Sequence, residues 1–344
     1  MTIKKVFKII GVSLLVLITA PLLIGQFLRL VSSDVPPAGE LVDVGGYKLH
    51  INCKGPTKVD KGLPTVIIEA GAGTPSPTYH WLQKGIAETT KVCVYDRAGL
   101  AWSEESDLPR DSDTITAALN TLLDKSNIKR PFVFAGHSIA GLYMRRYVDL
   151  YPGEVAGMIF LDASHPRQNK AFGVSKENTA KQTADLAGQL TLVKWMINLG
   201  FTEMYNPMVA LAPDFQGLPE DIQKQADYVS TLTRYLNAAP QESGDFEAAA
   251  LQAAQNTTLG DIPIVVISAT EPVPEGVLPD YFPDDFQAIF VNLHKEITAL
   301  STNGRHVEID TANHMSLVAN KDQVEKTLPY IREVILEAAK SQEQ

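Results

Sequence analysis

One short segment has the residue types and spacing of a nucleophilic serine. Residues 132–143 read FVFAGHSIAGLY, an apolar run followed by a glycine-rich turn and a helical pattern. A strand that turns tightly into a helix exposes the serine hydroxyl, and small residues must flank that serine at two positions before and after it. Gly136 and Ala140 meet this requirement. The segment predicts that Ser138 is a nucleophile and that the backbone N–H of Ile139 stabilises an oxyanion.

The serine needs a neighbouring general base, and histidine has a suitable pKa for that role. The chain contains seven histidines. Only His314 is expected in a loop between the last predicted strand and the final helix. His137 directly precedes the nucleophile, so its side chain should point away from it. We therefore predict that His314 is the base.

Two carboxylates compete to orient the histidine. Asp162 follows the buried run MIFL, and Glu271 follows the apolar run IVVISAT. A carboxylate that is buried where a strand emerges needs a partner, and an imidazolium is a good one. We favour Asp162 and keep Glu271 as the alternative, since Asp162 could also be a residue that caps a turn.

The elements that must position these residues alternate between strands and helices. Short apolar runs rich in β-branched residues are separated mostly by helical patterns of 10–20 residues. This alternation predicts a mainly parallel sheet with helices on both faces. The predicted strands are Tyr47–Cys53, Thr65–Glu69, Lys91–Tyr95, Pro131–Ala135, Val155–Leu161, Ile262–Ile267 and Arg305–Ile309.

The alternation stops between residues 164 and 260, where no strand is predicted. Helical patterns cover Ser175–Leu199, Pro219–Leu236 and Pro240–Ala254, the last two with proline near the start. A helical insertion between two strands predicts a cap over the strand ends. Its aromatic and methionine side chains could form an apolar acyl pocket or pack as core; they are Trp195, Met196, Phe201, Met204, Tyr205, Met208 and Phe215.

Four motifs together make residues 43–338 resemble the α/β-hydrolase family. They are EAGAG at 69–73, DRAGLAWS at 96–103, GHSIAG at 136–141 and TANH at 311–314. The resemblance implies eight strands in the order 1-2-4-3-5-6-7-8, the second antiparallel, and a cap after strand six. It also implies an oxyanion loop with Ala72 as the second N–H donor, although Gly73 is nearly as good a candidate.

The same resemblance bears on the acid and on the two cysteines. Most members of the family carry the acid after strand seven, as Glu271 would, and some carry it after strand six, as Asp162 would. The family's strand order makes the strands of Cys53 and Cys93 neighbours. The two cysteines could therefore form a disulfide if the domain faces an oxidising compartment, and two separate buried thiols are the alternative.

The amino end has the character of a membrane anchor. Ile9–Leu28 is uncharged, and a 20-residue helix spans about 30 Å, the thickness of a bilayer's hydrocarbon core. Three lysines before the run predict a cytoplasmic amino end and a catalytic domain outside the cytoplasm. A cleaved signal, which would release a secreted enzyme, is the alternative. The predicted organisation is an anchor at 1–30, a linker at 31–42, a hydrolase core at 43–163 and 261–344, and a cap at 164–260.

Charge and motif content exclude several classes of function. Residues 31–344 hold 26 basic and 40 acidic residues, a balance that disfavours nucleic acid. Neither a metal-binding motif nor a dinucleotide-binding motif is present, so we expect no metal and no cofactor.

The sequence as a whole predicts a serine hydrolase that cleaves an ester or amide with an apolar acyl group. A nucleophilic serine argues against the dehalogenases and epoxide hydrolases of the resembled family, which use aspartate. An acyltransferase with the same triad and a non-catalytic binding protein are the alternatives.

Overall fold

The centre of the molecule is one eight-stranded sheet with the order β1-β2-β4-β3-β5-β6-β7-β8. The computed structural model describes residues 2–32, 34–56, 62–206, 217–274, 276, 278–279 and 281–342. β2 pairs antiparallel with β1 and β4, and the other pairs are parallel. The strands are β1 (Glu40–Asp43), β2 (Lys48–Lys54), β3 (Val66–Glu69), β4 (Val92–Asp96), β5 (Phe132–His137), β6 (Val155–Leu161), β7 (Ile264–Ala269) and β8 (Gly304–Ile309).

Helices cover both faces of this sheet. The core helices are α2 (His80–Ala87), α3 (Ser112–Lys125), α4 (Ala140–Leu150), α10 (Phe286–Thr298) and α12 (Lys321–Ser341), with the short α11 (Ser316–Ala319) before the last. α2 and α12 pack on one face, and α3, α4 and α10 pack on the other. The middle strands β3 to β7 are buried almost throughout, as expected for parallel strands covered on both faces.

The α/β-hydrolase architecture and the strand order expected from the sequence are confirmed. One boundary differs, because β1 begins at Glu40, inside the segment predicted to be a linker at 31–42. Only four residues form this edge strand, and three of them are exposed. The strand therefore lacks the apolar run by which the other seven were recognised.

Cys53 and Cys93 face each other across β2 and β4, where they are register partners. The structure joins their sulfur atoms as a disulfide. Since the two cysteines occupy equivalent positions on adjacent strands, the pairing follows from the register of the sheet.

Helices alone connect β6 to β7 in the described part of the chain. They are α5 (Gln168–Ala171), α6 (Lys176–Asn198), α7 (Glu220–Ser230), α8 (Thr233–Gly244) and α9 (Phe246–Ala253), with a 3₁₀ turn at Phe201–Glu203. The prediction of a single helix over Pro219–Leu236 and a new one at Pro240 is wrong. The helix α7 ends at Ser230, where the Ser230 and Thr231 hydroxyls donate to backbone carbonyls three residues earlier. Pro240 instead lies inside α8.

The N-terminal run forms one long helix, α1 (Ile3–Val31). Its mean hydropathy reaches 2.4 over 18 residues, and none of that stretch is buried within the protein. Length and composition are therefore sufficient to cross a membrane.

Candidate active site

Ser138 lies at the turn between β5 and α4, in a strained backbone conformation. Its φ is +59°, which non-glycine residues adopt rarely. The backbone is held from two sides, because the Ser138 N–H donates to the Leu161 carbonyl and the Ser138 carbonyl accepts from Ser164 N–H. A Cβ at Gly136 would clash with Met144 Sδ, and one at Gly141 would lie 2.8 Å from the Ala163 Cβ.

This packing accounts for the sequence GHSIAG at 136–141. Glycine is required at Gly136 and Gly141, two positions before and three positions after Ser138. At Ala140, two positions after Ser138, alanine is small enough for the turn. The turn leaves Ser138 partly exposed on the wall of a cavity.

His314 and Asp162 meet at the same cavity. His314 Nδ1 lies 2.6 Å from Asp162 Oδ2, and the Ala269 N–H donates to Asp162 Oδ1 over 2.9 Å. The Asp162 side chain is 5% exposed and that of His314 is 44% exposed. Burial raises the pKa of Asp162, but the hydrogen bond and charge of His314 oppose this, and the net pKa lies below its ordinary value. Asp162 is therefore ionised at neutral pH and holds the imidazole with Nδ1 as donor.

Glu271, the alternative acid, lies elsewhere. It is exposed, and its Oε2 accepts a hydrogen bond of 3.1 Å from Asn313 Nδ2. It borders the cavity without contacting the His314 ring. Between the two carboxylates, the geometry favours Asp162.

His294 also borders the cavity, but both of its ring nitrogens have protein partners. Ser268 Oγ lies 2.6 Å from Nδ1, and the Ala163 carbonyl lies 2.9 Å from Nε2. Burial lowers the pKa of His294, so the ring is neutral. His294 therefore has the character of a packed core histidine and not of a base.

The loop after β3 carries a candidate oxyanion donor at Ala72. The Gly71 N–H donates to Tyr79 Oη over 2.6 Å, and the Gly73 N–H donates to Glu242 Oε2 over 2.7 Å. Within the described residues, the N–H groups of Ala72 and Ile139 have no acceptor. The geometry therefore favours Ala72 over Gly73 as the second oxyanion donor.

A buried network of charged residues holds this loop. Glu242 of α8 accepts from Arg97 Nε at 2.7 Å and Nη2 at 2.8 Å. Arg97 also donates to Glu69 Oε1 and to the carbonyls of Ala70 and Gly71, each at 2.7 Å. The three charged side chains are at most 2% exposed. The cap is thereby fastened to the oxyanion loop by one guanidinium between two carboxylates.

Arg97 follows Asp96 directly in the DRAGLAWS motif. The structure separates them, since Asp96 Oδ2 lies 2.6 Å from His50 Nδ1 instead. Glu242 is 145 residues from Arg97 and carried no signal of its own. Arginine within the DRAGLAWS motif was the only hint of this network.

A second connection runs from the oxyanion loop to the histidine loop through His137. The Tyr79 hydroxyl accepts from Gly71 N–H and lies 3.2 Å from His137 Nδ1, and His137 Nε2 lies 2.9 Å from the His314 carbonyl. Burial and the neighbouring His314 lower the pKa of His137 to about 3. A neutral His137 therefore accepts at Nδ1, donates at Nε2 and ties the two loops together.

The cavity has a volume of about 660 Å³ and a largely apolar wall. The wall comes from α5, α6, α8, α9, α10 and the segment after β7, and includes Ser138, Asp162 and His314. Its phenylalanines are Phe172, Phe246, Phe282, Phe286 and Phe290.

This wall differs from the expected one. Of the residues proposed to form an acyl pocket, Trp195, Met204 and Tyr205 are exposed, and Met196 and Phe201 do not line the cavity. Met208 and Phe215 lie outside the described residues. The C-terminal half of α6 leads away from the cavity, so its apolar side chains cannot reach it.

No group of three His, Cys, Asp or Glu side chains in the described ranges has the arrangement of a metal site. The expectation that the protein needs no metal or cofactor remains a prediction.

Comparison with known proteins identifies the family. The sequence profile described as alpha/beta hydrolase fold matches residues 64–320. The chain belongs to this family. The alpha/beta hydrolase is 27% identical over 267 residues to the uncharacterized protein YbdG of Bacillus subtilis (strain 168), covering 74% of this chain and 75% of YbdG.

Two solved structures share the fold. One is named a "probable hydrolytic enzyme" of Pseudomonas aeruginosa PAO1 (TM-score 0.62, 17% identity, 88% of this chain and 96% of the other). The second is the enol-lactonase of Burkholderia xenovorans LB400 (TM-score 0.55, 17% identity, 86% of this chain and 100% of the other).

Proposed function

We propose that this protein is a membrane-anchored serine hydrolase that cleaves a carboxylic ester, or an amide, through an acyl-enzyme. The observation that carries the proposal is the shared cavity wall. Ser138 stands there on a strained turn, and His314 stands there with its Nδ1 2.6 Å from the buried Asp162 carboxylate. A nucleophile, a base and a group that orients the base are the parts that acyl transfer requires.

The reaction begins when Ser138 Oγ attacks the substrate carbonyl and His314 Nε2 takes the hydroxyl proton. Asp162 keeps the other ring nitrogen protonated and stabilises the imidazolium. The N–H groups of Ile139 and Ala72 stabilise the negative oxygen of the tetrahedral intermediate. Collapse breaks the bond to the leaving group, which receives the proton from His314. Water, deprotonated by the same histidine, then releases the acid and restores Ser138.

The cavity supports a substrate with an apolar acyl group. Five phenylalanines line it, and Phe172, Phe286 and Phe290 form a continuous aromatic surface with ring centroids 4.6–5.8 Å apart. Such a surface favours apolar chains through burial of area and gives few polar groups to select a headgroup.

The proposal also includes the location. α1 is retained as an anchor, its lysine-rich amino end stays in the cytoplasm, and the hydrolase faces outward. A reporter that is active only outside the cytoplasm, fused after Gln344, should be active, and the mature protein should keep its first residues. Activity of a reporter that works only in the cytoplasm would contradict the proposed topology. Cleavage of the chain after the apolar run would contradict the anchor. Neither result would bear on the proposed chemistry.

The test of the chemistry is a pair of serine variants. Ser138→Ala should remove labelling by a fluorophosphonate probe and lower kcat on p-nitrophenyl esters by roughly 10⁴-fold or more. Ser164→Ala is the matched control, because Ser164 borders the same cavity and should keep both activities. Labelling and turnover that survive in folded Ser138→Ala would exclude the serine mechanism.

A further inference from the structure

The anchor helix contacts the cap inside its apolar run. Gly25 of α1 packs directly against Gly200, which follows α6, and a Cβ on Gly25 would clash with the Gly200 carbonyl oxygen. Gly200 has a φ of +79°, so it ends α6 in a left-handed conformation that glycine adopts readily. Gly25 lies within the uncharged run Ile9–Leu28, three residues before its end. The end of α6 therefore lies at the same depth as the outer end of the apolar run.

Polar side chains of α1 strengthen the contact. Gln26 Nε2 donates to the Asn198 carbonyl over 2.8 Å, and Arg29 Nη1 donates to the Ile197 carbonyl over 3.4 Å. Carbonyls in the last turn of a helix lack the usual partner within the helix, and Gln26 satisfies that of Asn198. The Ile197 carbonyl also accepts from the Gly200 N–H, so Arg29 is a second donor to it.

The chain after α1 is also held to the body. The Trp102 indole N–H donates to the Val35 carbonyl over 2.9 Å, and Val35 packs against Trp102 and Val229. The segment that joins the anchor to β1 is therefore not a free tether. The hydrolase body keeps one side toward the anchor.

That side exposes five large apolar residues, here called the cap patch: Leu192, Trp195, Leu199, Met204 and Tyr205. The first three share one face of α6 and the turn that ends it, at spacings of three and four residues. Leu192 is 64% exposed, Trp195 62% and Tyr205 57%. Glu203 is the one exposed acidic residue within the patch's 201–206 segment.

We propose that the cap patch lies in the interfacial region of the lipid bilayer beside the anchor. The inference rests on the proposed retention of α1 as a membrane span. Trp and Tyr are enriched where membrane meets water, because their rings are apolar with one polar group. The patch contains one of each together with three aliphatic side chains. Contact with the lipid covers apolar surface that would otherwise face water.

The position of α6 gives this surface a function. The N-terminal half of α6 borders the catalytic cavity at Thr179 and Gln182, and its C-terminal end carries the patch. One continuous helix therefore connects the membrane contact with the cavity wall, and the membrane fixes how the cavity is oriented.

The experiment uses the full chain in phosphatidylcholine vesicles, with tryptophan emission as the readout. Trp81, Trp102 and Trp195 are the only tryptophans. Phosphatidylcholine brominated on its acyl chains quenches indole on contact, so the patch predicts a loss of emission in brominated vesicles. Trp195→Phe should abolish most of that loss, whereas the matched control Trp81→Phe should retain it.

Vesicle flotation separates the two proposals. Protein that floats but shows no quenching from Trp195 overturns the cap patch and leaves the anchor intact. Protein that does not float overturns both, since the patch then has no bilayer. A third outcome is that the protein forms dimers in which aqueous acrylamide does not quench Trp195 emission and brominated lipid does not quench it either. The cap patch would then be a contact between two copies, and the membrane assignment would be overturned.

Discussion

Replacing Asp162 by asparagine should trap His314 in the wrong tautomer. In the wild-type protein Asp162 accepts twice, from Ala269 N–H and from His314 Nδ1–H. The asparagine amide has one acceptor and one donor in the same space. If its oxygen faces Ala269, its NH₂ faces Nδ1, which must then be an acceptor, and Nε2 carries the proton toward Ser138. An imidazole in that state cannot accept the serine proton.

The opposite amide orientation is disfavoured by the same geometry. It would restore the active tautomer but would place the amide NH₂ against the Ala269 N–H. A buried donor would then lack an acceptor, which costs about 1–3 kcal/mol of free energy. That difference lowers the active population by about one to two powers of ten. Loss of the charge that stabilises the imidazolium adds to it, so the total loss in kcat should approach about 10⁴-fold, close to 5.5 kcal/mol.

The assay is turnover of a p-nitrophenyl ester, with the thermal unfolding midpoint as a check that the variant folds. Glu271→Gln is the matched control, because Glu271 is exposed and its carboxylate accepts a hydrogen bond from Asn313. It should retain nearly full kcat. Near-normal turnover in Asp162→Asn together with a crippled Glu271→Gln would refute the reasoning and assign the acid to the position after β7.

Three other predictions concern the supports of the site. Glu242→Gln should lower kcat by about tenfold to a hundredfold with little change in KM, because it loosens the loop that carries the Ala72 N–H. The kcat is calculated per active site titrated with a fluorophosphonate probe, and an unchanged kcat per titrated site would show that Glu242 only stabilises the fold. The unfolded, unreduced chain should contain no free thiol, and two free thiols would disprove the Cys53–Cys93 disulfide. The two cysteines are 40 residues apart, so reduction should lower the free energy of unfolding by about 4 kcal/mol, measured by urea unfolding with and without reductant. The free energy of unfolding should fall as the pH drops below about 6.5, because unfolded histidine binds a proton that folded His137, with its pKa of about 3, does not. His137→Asn should remove about 1.4 kcal/mol per pH unit from the slope of unfolding free energy against pH. An unchanged slope would contradict the neutral His137.

Much of this molecule could be predicted from local pattern. The seven apolar runs became seven strands, since a strand buried on both faces requires continuous apolar sequence. Ser138 could be predicted for a similar reason, because a tight turn restricts the neighbouring residue types within a few positions. β1 has neither property. It pairs only at the sheet edge and is mostly exposed, so its four residues carry no apolar signal.

The supports of the site depend on contacts between distant segments. Glu242 approaches Arg97 only after the cap folds over the sheet, and no residue beside it in sequence indicates a charged partner. The cavity wall joins Phe172 to Phe286 and Phe290, which are separated by more than a hundred positions. From the sequence, the apolar residues on α6 could form a pocket or pack as core. Only the direction of the helix in the structure decides against the pocket.

The carboxylate–guanidinium network determines where the cap can move. Lifting α8 from the core would separate Glu242 from Arg97 and from the Gly73 N–H. Opening this edge of the cap therefore breaks three hydrogen bonds to the buried Glu242 carboxylate. We expect substrate entry at the opposite rim, where α5 and the start of α6 line the cavity without a buried carboxylate–guanidinium pair among the described residues.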